Sequence, residues 1–444
     1  MDILSLFACF GTLVSATSVR QLNIIAQAML TMTGRITMLS LSRWTEKGGS
    51  YRTIQRFFAT KFVWSELLVR FFQTHLFNCE HDYILAADET VISQSGKQSF
   101  GIDRYFSGLQ GKVIRGLSFF VFSLIDTTER KSSPLVVRQM MRSEVEKLLI
   151  KERKKKRTKK SKAGKGRKKA SLNKDKNELK LSPELLRISQ LLKTLMKLLP
   201  NVMKVKYLAM DGHFGHHQAV LMARENDLQL ISKLRKDAAI FEKYEGAYGG
   251  CGARKKYGAR LKYDLLPNKY FKQSEREGDV ITNYYQGVFL HKEFGGELNV
   301  VIIVKINLKT KKMGQAILFS SDGDLNWEKV VDYYSLRFQI EFNFREAKQH
   351  FGLEDFMNTT KVGVENAANM AFLMVNLSAK LLKTEGANGV SINDLKSRYR
   401  GVKYALETIK MIQPKAKSIL IEKVKEAISR IGSIHRQKYS VSSP

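Results

Sequence analysis

Residues 83–88 read Tyr-Ile-Leu-Ala-Ala-Asp, an apolar run that ends in a carboxylate. The same pattern returns at residues 205–211, Val-Lys-Tyr-Leu-Ala-Met-Asp. Short β-rich runs of this kind predict buried strands, so we expect Asp88 and Asp211 at the carboxyl ends of two strands. In an open α/β sheet that edge is where sites form. A single acid there is often only a turn residue, and Asp211-Gly212 taken alone is an ordinary turn pattern.

Further short apolar runs alternate with helical segments on both sides of these two stretches, which predicts an α/β sheet. From about Ala238 to Ser320 the chain is instead rich in glycine and aromatic residues, and we interpret this part as a mostly β insertion. The predicted strands are 83–87, 117–125, 205–210, 228–232, 281–290 and 298–306, and the predicted long helices are 327–351 and 366–383.

The charge of the chain is strongly positive, at +33 with a pI near 9.9. A surface this basic attracts polyanions, so nucleic acid is the expected partner. The stretch Lys151 to Ala170 has thirteen Lys or Arg and one Glu, or +12, which leaves 33 − 12 = +21 for the rest of the chain. Its Gly residues and few apolar residues predict a disordered or loosely helical loop, with either solubilisation or non-specific phosphate contact as its role.

A helix-turn-helix pattern lies near the N-terminus, with helices at residues 37–43 and 50–59 and a turn at residues 46–49. Ser50 is the predicted N-cap. The second helix would present Arg52, Gln55 and Arg56, which are residue types suited to phosphates and base edges. The alternative is a pair of core helices with solvated basic residues.

Within the predicted helix 327–351, Tyr334, Arg337, Glu341 and Lys348 fall within about 60° of one another at roughly 100° per residue. A second set of polar residues would already supply the solvent face of this helix. Those residues are Ser335, Gln339, Asn343, Glu346 and His350. The Tyr-Arg-Glu-Lys stripe is instead flanked by apolar residues, which predicts that it lines a cleft.

A cleft that holds Asp88, Asp211 and Glu341 is costly unless cations neutralise the carboxylates. Carboxylate oxygens suit Mg²⁺ or Mn²⁺, and two such ions can support in-line phosphoryl transfer. We therefore expect two metal ions at these three residues, with Arg337 and Lys348 holding phosphates and Tyr334 contacting a phosphate or a base.

The spacing Tyr334-x-x-Arg337-x-x-x-Glu341-x-x-x-x-x-x-Lys348 resembles the Tyr-Arg-Glu-Lys signature of bacterial insertion-sequence transposases of the cut-and-paste DDE type. The resemblance extends over about residues 82–382. It implies an RNase H-like catalytic core in which Asp88, Asp211 and Glu341 are the catalytic metal ligands. It also implies that Tyr334, Arg337 and Lys348 contact the transposon end. The long Lys-rich loop between the two aspartates departs from the family pattern.

By that resemblance the protein binds the terminal inverted repeats of its own element, cleaves them, joins them to target DNA, and acts as a homodimer when two ends are paired. The predicted organisation has five segments. These are a helical DNA-binding region at 1–80, the first part of the core at 81–235 with its Lys-rich loop at about 147–180, a β-rich insertion at 236–320, the second part of the core at 321–385, and a helical basic tail at 386–444.

Two alternatives stay open from the sequence: a metal-dependent nuclease without strand transfer, and a catalytically silent DNA-binding regulator. Cys9, Cys79 and Cys251 form no C-x-x-C pair, which favours a reducing compartment. We predict a cytoplasmic, nucleoid-associated protein without a membrane span. His213, His216 and His217 match no zinc motif. Glu89 is expected to face away from Asp88 because successive strand residues point to opposite faces.

Overall fold

The computed structural model describes residues 2–45, 48–96, 98–108, 110–159, 178, 180–200, 203–248, 250–384, 389–412 and 418–429. Within these ranges the chain is a mixed α/β protein built around one large mixed sheet, which confirms the predicted α/β class. Each of the six predicted strands is present, and both predicted long helical regions are helical.

The bounds of the elements are as follows. The helices are α1 (Ile3–Phe7), α2 (Ala16–Thr31), α3 (Met38–Trp44), α4 (Tyr51–Ala59), α5 (Trp64–His75), α6 (Glu144–Lys159), α7 (Pro183–Leu198), α8 (His217–Arg224), α9 (Trp327–Leu336), α10 (Gln339–His350), α11 (Lys361–Thr384), α12 (Ile392–Ile412) and α13 (Ser418–Ser429). The strands are β1 (Tyr83–Ser93), β2 (Asp103–Ser107), β3 (Lys112–Asp126), β4 (Lys131–Gln139), β5 (Tyr207–Met210), β6 (Gln229–Leu234), β7 (Ile240–Lys243), β8 (Tyr257–Arg260), β9 (Phe271–Glu277), β10 (Val280–His291), β11 (Glu297–Asn307) and β12 (Met313–Ser320).

The strands pair in the order β2-β3-β1-β5-β6-β12-β11-β10-β7-β8, with β4 also on β3 and β9 also on β10. The central pairs β1 with β5 and β5 with β6 are parallel, and the other pairs are antiparallel. Because β12 pairs directly with β6, the strands of the predicted insertion continue the sheet of the predicted core.

Buried apolar side chains cover both faces of this sheet because its strands alternate inward and outward residues. On one face Leu85, Ala87 and Leu208 pack with residues of α7 and α8. On the other face Ala86 and Ala209 pack with residues of α9. By the same alternation, Asp88 and Asp211 fall on the face toward α9.

The N-terminal helices α1 to α5 share one apolar core with α10 and α11, as Phe57 and Phe71 pack in the same cluster as Phe344 and Phe372. Ser50 caps α4 by accepting a hydrogen bond from the backbone N–H of Thr53, as its position in the sequence predicts. The turn between α3 and α4 includes residues 46 and 47, which lie outside the described residues.

The prediction of a single helix over residues 327–351 is wrong in one respect. The segment forms two helices, α9 and α10, which are joined through Arg337 and Phe338. Both joining residues keep right-handed helical dihedral angles. The backbone N–H groups of Phe338, Ile340 and Glu341 instead donate to carbonyls three residues earlier. This tightens the chain locally into a 3₁₀-like turn.

The predicted solvent face of this region is also partly wrong. Ser335 is exposed, but Asn343 is buried and donates hydrogen bonds to the hydroxyls of Ser123 at 3.2 Å and Ser132 at 2.8 Å. Phe338, one of the apolar residues beside the Tyr-Arg-Glu-Lys stripe, is half exposed. The polar residues of α10 therefore face the sheet as well as the solvent.

Helix α6 covers the beginning of the predicted Lys-rich loop, and most of the remaining loop, at residues 160–177, lies outside the described residues. The tail contains α12 and α13, which agrees with its predicted helical character, and residues 413–417 between these helices lie outside the described residues. Across the described ranges, no helix has the length and apolar character needed to cross a membrane.

Candidate active site

The register of the two central parallel strands places Asp88 beside Asp211. Ala87 of β1 is paired with Met210 of β5, and each aspartate is the next residue in the chain. Asp211 directly follows β5 as predicted, but β1 continues to Ser93, so the prediction that Asp88 ends its strand is wrong. Neighbouring strands lie about 4.8 Å apart, so the two backbones are adjacent at this edge. By alternation both carboxylates lie on the same face as Ala86, the face covered by α9.

Arg337 connects the first aspartate to the glutamate of α10. Its Nη1 atom lies 2.6 Å from Oδ2 of Asp88, and its Nη2 atom lies 3.4 Å from Oε1 of Glu341. The Arg337 side chain is only 13% exposed, whereas Glu341 remains 41% exposed. The structure thus brings Asp88 and Glu341, which are 253 residues apart in sequence, to the same guanidinium group.

The ring of Tyr334 lies beside the same guanidinium, with the Arg337 Cζ atom 5.8 Å from the ring centroid. Burial raises the pKa of the Tyr334 hydroxyl, and the nearby carboxylates of Asp211 and Asp88 raise it further against the opposing effect of Arg337. Tyr334, Arg337, Asp88, Asp211 and Glu341 therefore form one electrostatically connected group.

Burial and the neighbouring carboxylates disfavour the ionised form of Asp88 in this group. Burial raises the pKa of Asp88 to about 6, and Asp211 and Glu341 add to the rise, although Arg337 and the backbone N–H of Glu89 oppose it. Burial lowers the pKa of Arg337, but its carboxylate neighbours outweigh that effect and the pKa is raised overall. Neutralising cations would therefore favour the ionised form of Asp88.

Lys348 lies two turns farther along α10 and is held by other partners. Its Nζ atom donates to the carbonyl oxygen of Val91 at 3.0 Å and lies 3.4 Å from a carboxylate oxygen of Glu354. Its side chain is 19% exposed. Lys348 thus connects α10 to β1 just beyond Asp88, at the border of the site.

Glu89 faces away from this site, as the alternation of β1 predicts. Its carboxylate accepts a hydrogen bond from the hydroxyl of Ser118, and it lines a separate cavity of about 280 Å³ with Tyr105, Arg142 and Arg187. Arg187 in turn forms two hydrogen bonds to the carboxylate of Glu146, at 2.9 and 3.0 Å.

The three histidines after Asp211 have separate surroundings. The Nε2 atom of His213 lies 3.5 Å from a carboxylate oxygen of Glu184. His216 accepts a hydrogen bond at the start of α8, and the ring of His217 packs on Phe294.

Among the described residues, one group of metal-binding side chains has all its ligand atoms within 4.8 Å, and it is His81, Asp126 and Glu129. These are not the predicted ligands. His81 is 2.6 Å from Asp126, and Glu129 is 2.6 Å from the Nζ atom of Lys383, so each of these three side chains already has a protein partner. The predicted carboxylates are spaced more widely, and Arg337 lies between two of them.

Comparison with known proteins shows the family to which the chain belongs. The family model described as DDE superfamily endonuclease matches residues 5–276, which is more than half of the chain. The chain belongs to the DDE superfamily of endonucleases. A second model, described as the transposase DDE domain, matches residues 187–377, so the two matches together include Asp88, Asp211 and Glu341. Membership of this superfamily implies dependence on divalent metal ions.

One similar solved structure is the cryo-EM structure of the piggyBac transposase synaptic complex with hairpin DNA. The identity is 10% and the TM-score is 0.34, with 81% of this chain and 63% of that chain covered. This chain therefore spans less than two thirds of the length of that transposase. No curated protein matches the sequence.

Sequence reasoning missed the double contact of Arg337 with Asp88 and Glu341, since it treated Arg337 only as a DNA contact. One half of that contact was visible in the sequence, because Arg337 and Glu341 are four residues apart on helical backbone. The other half depends on how α9 packs over β1. No local sequence pattern predicts the packing of α9 over β1.

Proposed function

We propose that this protein is a DNA transposase whose active site consists of Asp88, Asp211 and Glu341. The observation that carries the proposal is the convergence of Asp88 and Glu341 on Arg337, at the strand edge where Asp211 follows β5. Together with the superfamily membership, this arrangement supports phosphoryl transfer on DNA. The proposed core is RNase H-like, with residues 236–320 as its β-rich insertion, and the resemblance to bacterial insertion-sequence transposases gives the element type.

The residues present fit a divalent metal site. The three acids offer only oxygen ligands, which Mg²⁺ and Mn²⁺ prefer, and a bound cation would offset the burial and the carboxylate repulsion that raise the pKa of Asp88. Asp88, Asp211 and Glu341 would hold two ions. Such ions supply charge neutralisation and activation of oxygen for an in-line displacement at phosphorus.

The chain's own residues then have separate roles. Asp88 lies on β1, Asp211 directly follows β5, and Glu341 lies on α10, which Asn343 and Lys348 hold against the sheet, so the three carboxylates would be presented to the scissile phosphate from fixed elements. Arg337 would neutralise charge on a non-bridging phosphate oxygen after its guanidinium exchanges one of its two carboxylate contacts for the phosphate. Tyr334 borders the same position.

In the first proposed step a water oxygen attacks the scissile phosphorus and the bond to the 3′ oxygen breaks, which leaves a free 3′-hydroxyl at the element end. In the second step that hydroxyl oxygen attacks a phosphorus of target DNA and displaces a target 3′ oxygen. Because each step exchanges one phosphorus–oxygen bond for another, neither requires an oxidant or a covalent enzyme intermediate.

DNA recognition would also involve residues outside the acid centre, the name used here for Asp88, Asp211 and Glu341. Arg52, Gln55 and Arg56 are all exposed on α4, as a helix that reads terminal inverted repeats requires. Lys348 is proposed to approach the DNA at the border of the site after exchanging its contact with Glu354. Pairing of two element ends would use a homodimer.

The experiment is cleavage of a plasmid that carries the DNA flanking the gene, with Mg²⁺ or Mn²⁺. The variants are Asp88→Asn, Asp211→Asn and Glu341→Gln, and the matched control is Glu89→Gln, the neighbouring acid on the opposite face. We expect each of the three to lower cleavage by more than about 100-fold while DNA binding is retained. The control should cleave.

Cleavage that survives Glu341→Gln would show that the active site is placed wrongly. Cleaved products without joined products would instead identify a nuclease that lacks strand transfer. Binding without cleavage in either metal, by the wild-type protein, would identify a catalytically silent regulator.

A further inference from the structure

A basic cavity lies at the end of the sheet opposite to β2, where β7 and β8 form the last pair. We name it the lysine pocket, and its lining residues are Lys243, Tyr244, Lys255, Lys256, Leu290, Gly296 and Glu297. Its volume is about 410 Å³. The three lysines are exposed, so their charges are available to a ligand in solution.

The charge of the lysine pocket remains positive after its internal pairing is counted. Its one acid, Glu297, lies 3.2 Å from the Nζ atom of Lys243, which leaves Lys255 and Lys256 as the excess. Residues 243–262 as a whole contain six Lys or Arg and one Glu. This local excess indicates a polyanionic ligand.

One tyrosine ring holds a cation in the lysine pocket, and a second ring holds a cation in the loop beside it. The Nζ atom of Lys255 lies 4.7 Å from the ring centroid of Tyr244, and the Cζ atom of Arg254 lies 5.4 Å from that of Tyr248. Cation–π contacts of this kind restrict the flexible basic side chains. Because each ring already has a cation over one face, the tyrosines position charge and are less available for stacking on bases. The preferred ligand is therefore a set of backbone phosphates.

The pocket is separated from the acid centre by the width of several strands. Five strand spacings lie between β5 and β7, in the order β5-β6-β12-β11-β10-β7. At about 4.8 Å each this is about 24 Å across the sheet, and the strand registers put Leu290 about four residues along β10 from the level of Asp211, so the path is on the order of seven to eight base pairs of duplex DNA. A duplex cut at the acid centre is long enough to reach the pocket with its flank.

We propose that the lysine pocket binds the phosphate backbone of duplex DNA about seven base pairs from the cleavage position. The inference rests on the proposed function for the acid centre and adds a second contact that fixes the direction of the duplex across the sheet. It gives the β7–β8 hairpin a role in DNA affinity that is separate from cleavage.

The test compares two double variants that each remove two neighbouring exposed lysine charges. Lys255→Gln with Lys256→Gln changes the pocket, and Lys311→Gln with Lys312→Gln changes the exposed β11–β12 turn as the control. Binding to a duplex with long flanks is measured over a range of salt concentrations. We expect the pocket variant to lose about tenfold in affinity and about two units of log–log salt slope, and the control to keep both.

A second measurement uses duplexes with flanks of decreasing length. With fewer than about seven base pairs beyond the cut position, the wild-type protein and the pocket variant should bind equally. Tyr244→Leu should weaken binding to the long duplex, whereas Tyr244→Phe, which keeps the ring, should retain it.

Equal affinity of the two double variants for the long duplex would overturn the inference, whether both keep or both lose affinity. This failure differs from failure of the proposed function. If cleavage depends on Asp88, Asp211 and Glu341 but not on the lysine pair, only the pocket is wrong. If the lysine pair affects binding but no acid affects cleavage, the pocket stands and the proposed active site is wrong.

Discussion

Glu346 is a partly buried carboxyl group on α10, five residues beyond the proposed catalytic Glu341. Burial raises the pKa of Glu346 to about 7, and Arg345 opposes the rise only in part. In the portion of the chain that the structure describes, no Lys or Arg forms an ion pair with this carboxylate. The helix that carries Glu341 therefore contains an acid whose ionisation disfavours the folded state.

The substitution Glu346→Gln should stabilise the protein at alkaline pH. The unfolded chain releases this proton near pH 4.5 and the folded protein near pH 7, so the free energy of unfolding falls as the pH rises through this window. The loss is complete above about pH 7 and reaches up to about 3 kcal/mol. Urea unfolding at pH 5 and pH 8 should show a gain for the variant at pH 8 and little change at pH 5.

The matched control is Glu293→Gln, because Glu293 is an exposed acid outside α10. It should leave the free energy of unfolding unchanged at both pH values. A Glu346→Gln variant no more stable than the wild-type protein at pH 8 would show that the carboxyl group is well solvated.

At the scale of elements, Asn366 fixes α11 to the chain between α4 and α5. Its Nδ2 atom donates to the carbonyl oxygens of Phe58 at 2.8 Å and Thr60 at 2.7 Å, and its Oδ1 atom accepts from Nε1 of Trp64 at 2.7 Å. The residue is almost fully buried. The Asn366 side chain thus supplies hydrogen-bond donors to backbone carbonyl groups at the carboxyl end of the proposed DNA-reading helix α4.

Asn366→Leu should lower the free energy of unfolding by roughly 3 kcal/mol, because it leaves two carbonyl groups and an indole N–H buried without partners. Adding Trp64→Phe should cost less in this variant than in the wild-type background, since the indole N–H has already lost its acceptor. Urea unfolding of the four proteins measures this coupling. Asn393→Leu, at an exposed position on α12, is the control and should be neutral. Additive losses from Asn366→Leu and Trp64→Phe would mean that the two side chains do not act together.

The sequence predicts elements well where a local pattern determines them, and less well where distant segments do. The end of β5 follows from the apolar run that stops at Asp211, whereas the run that stops at Asp88 does not mark the end of β1, which continues to Ser93 through its pairing with β3. The turn at Arg337 carries no Gly or Pro, and its dihedral angles stay helical, so periodicity alone predicts an unbroken helix. Asn343 is polar, which suggests that it is exposed to solvent, but it is buried against its hydrogen-bond partners Ser123 and Ser132, which are more than 200 residues away in sequence.

At the scale of the whole molecule, the sheet crosses the boundary that the sequence suggests between core and insertion. Phe319 of β12 pairs with Ser232 of β6, and Ile317 pairs with Leu234. Both Phe319 and Ile317 are fully buried in the apolar cluster that also contains residues of α7 and α8. Stability of the proposed core should therefore depend on β12, which is a strand of the proposed insertion.

Replacing residues 236–320 by a short Gly-Ser linker should abolish cooperative unfolding. The deletion exposes the edge of β6 and removes buried side chains whose loss costs several kcal/mol each, which together exceed the usual net stability of a domain. Deleting only residues 250–253, which are exposed in the β7–β8 loop, should leave the transition intact. Urea unfolding followed by tryptophan fluorescence distinguishes the two deletions, because Trp44 and Trp64 lie outside the deleted parts. A sharp transition near that of the full chain, in the protein without residues 236–320, would show that β12 is an accessory to an independently stable core.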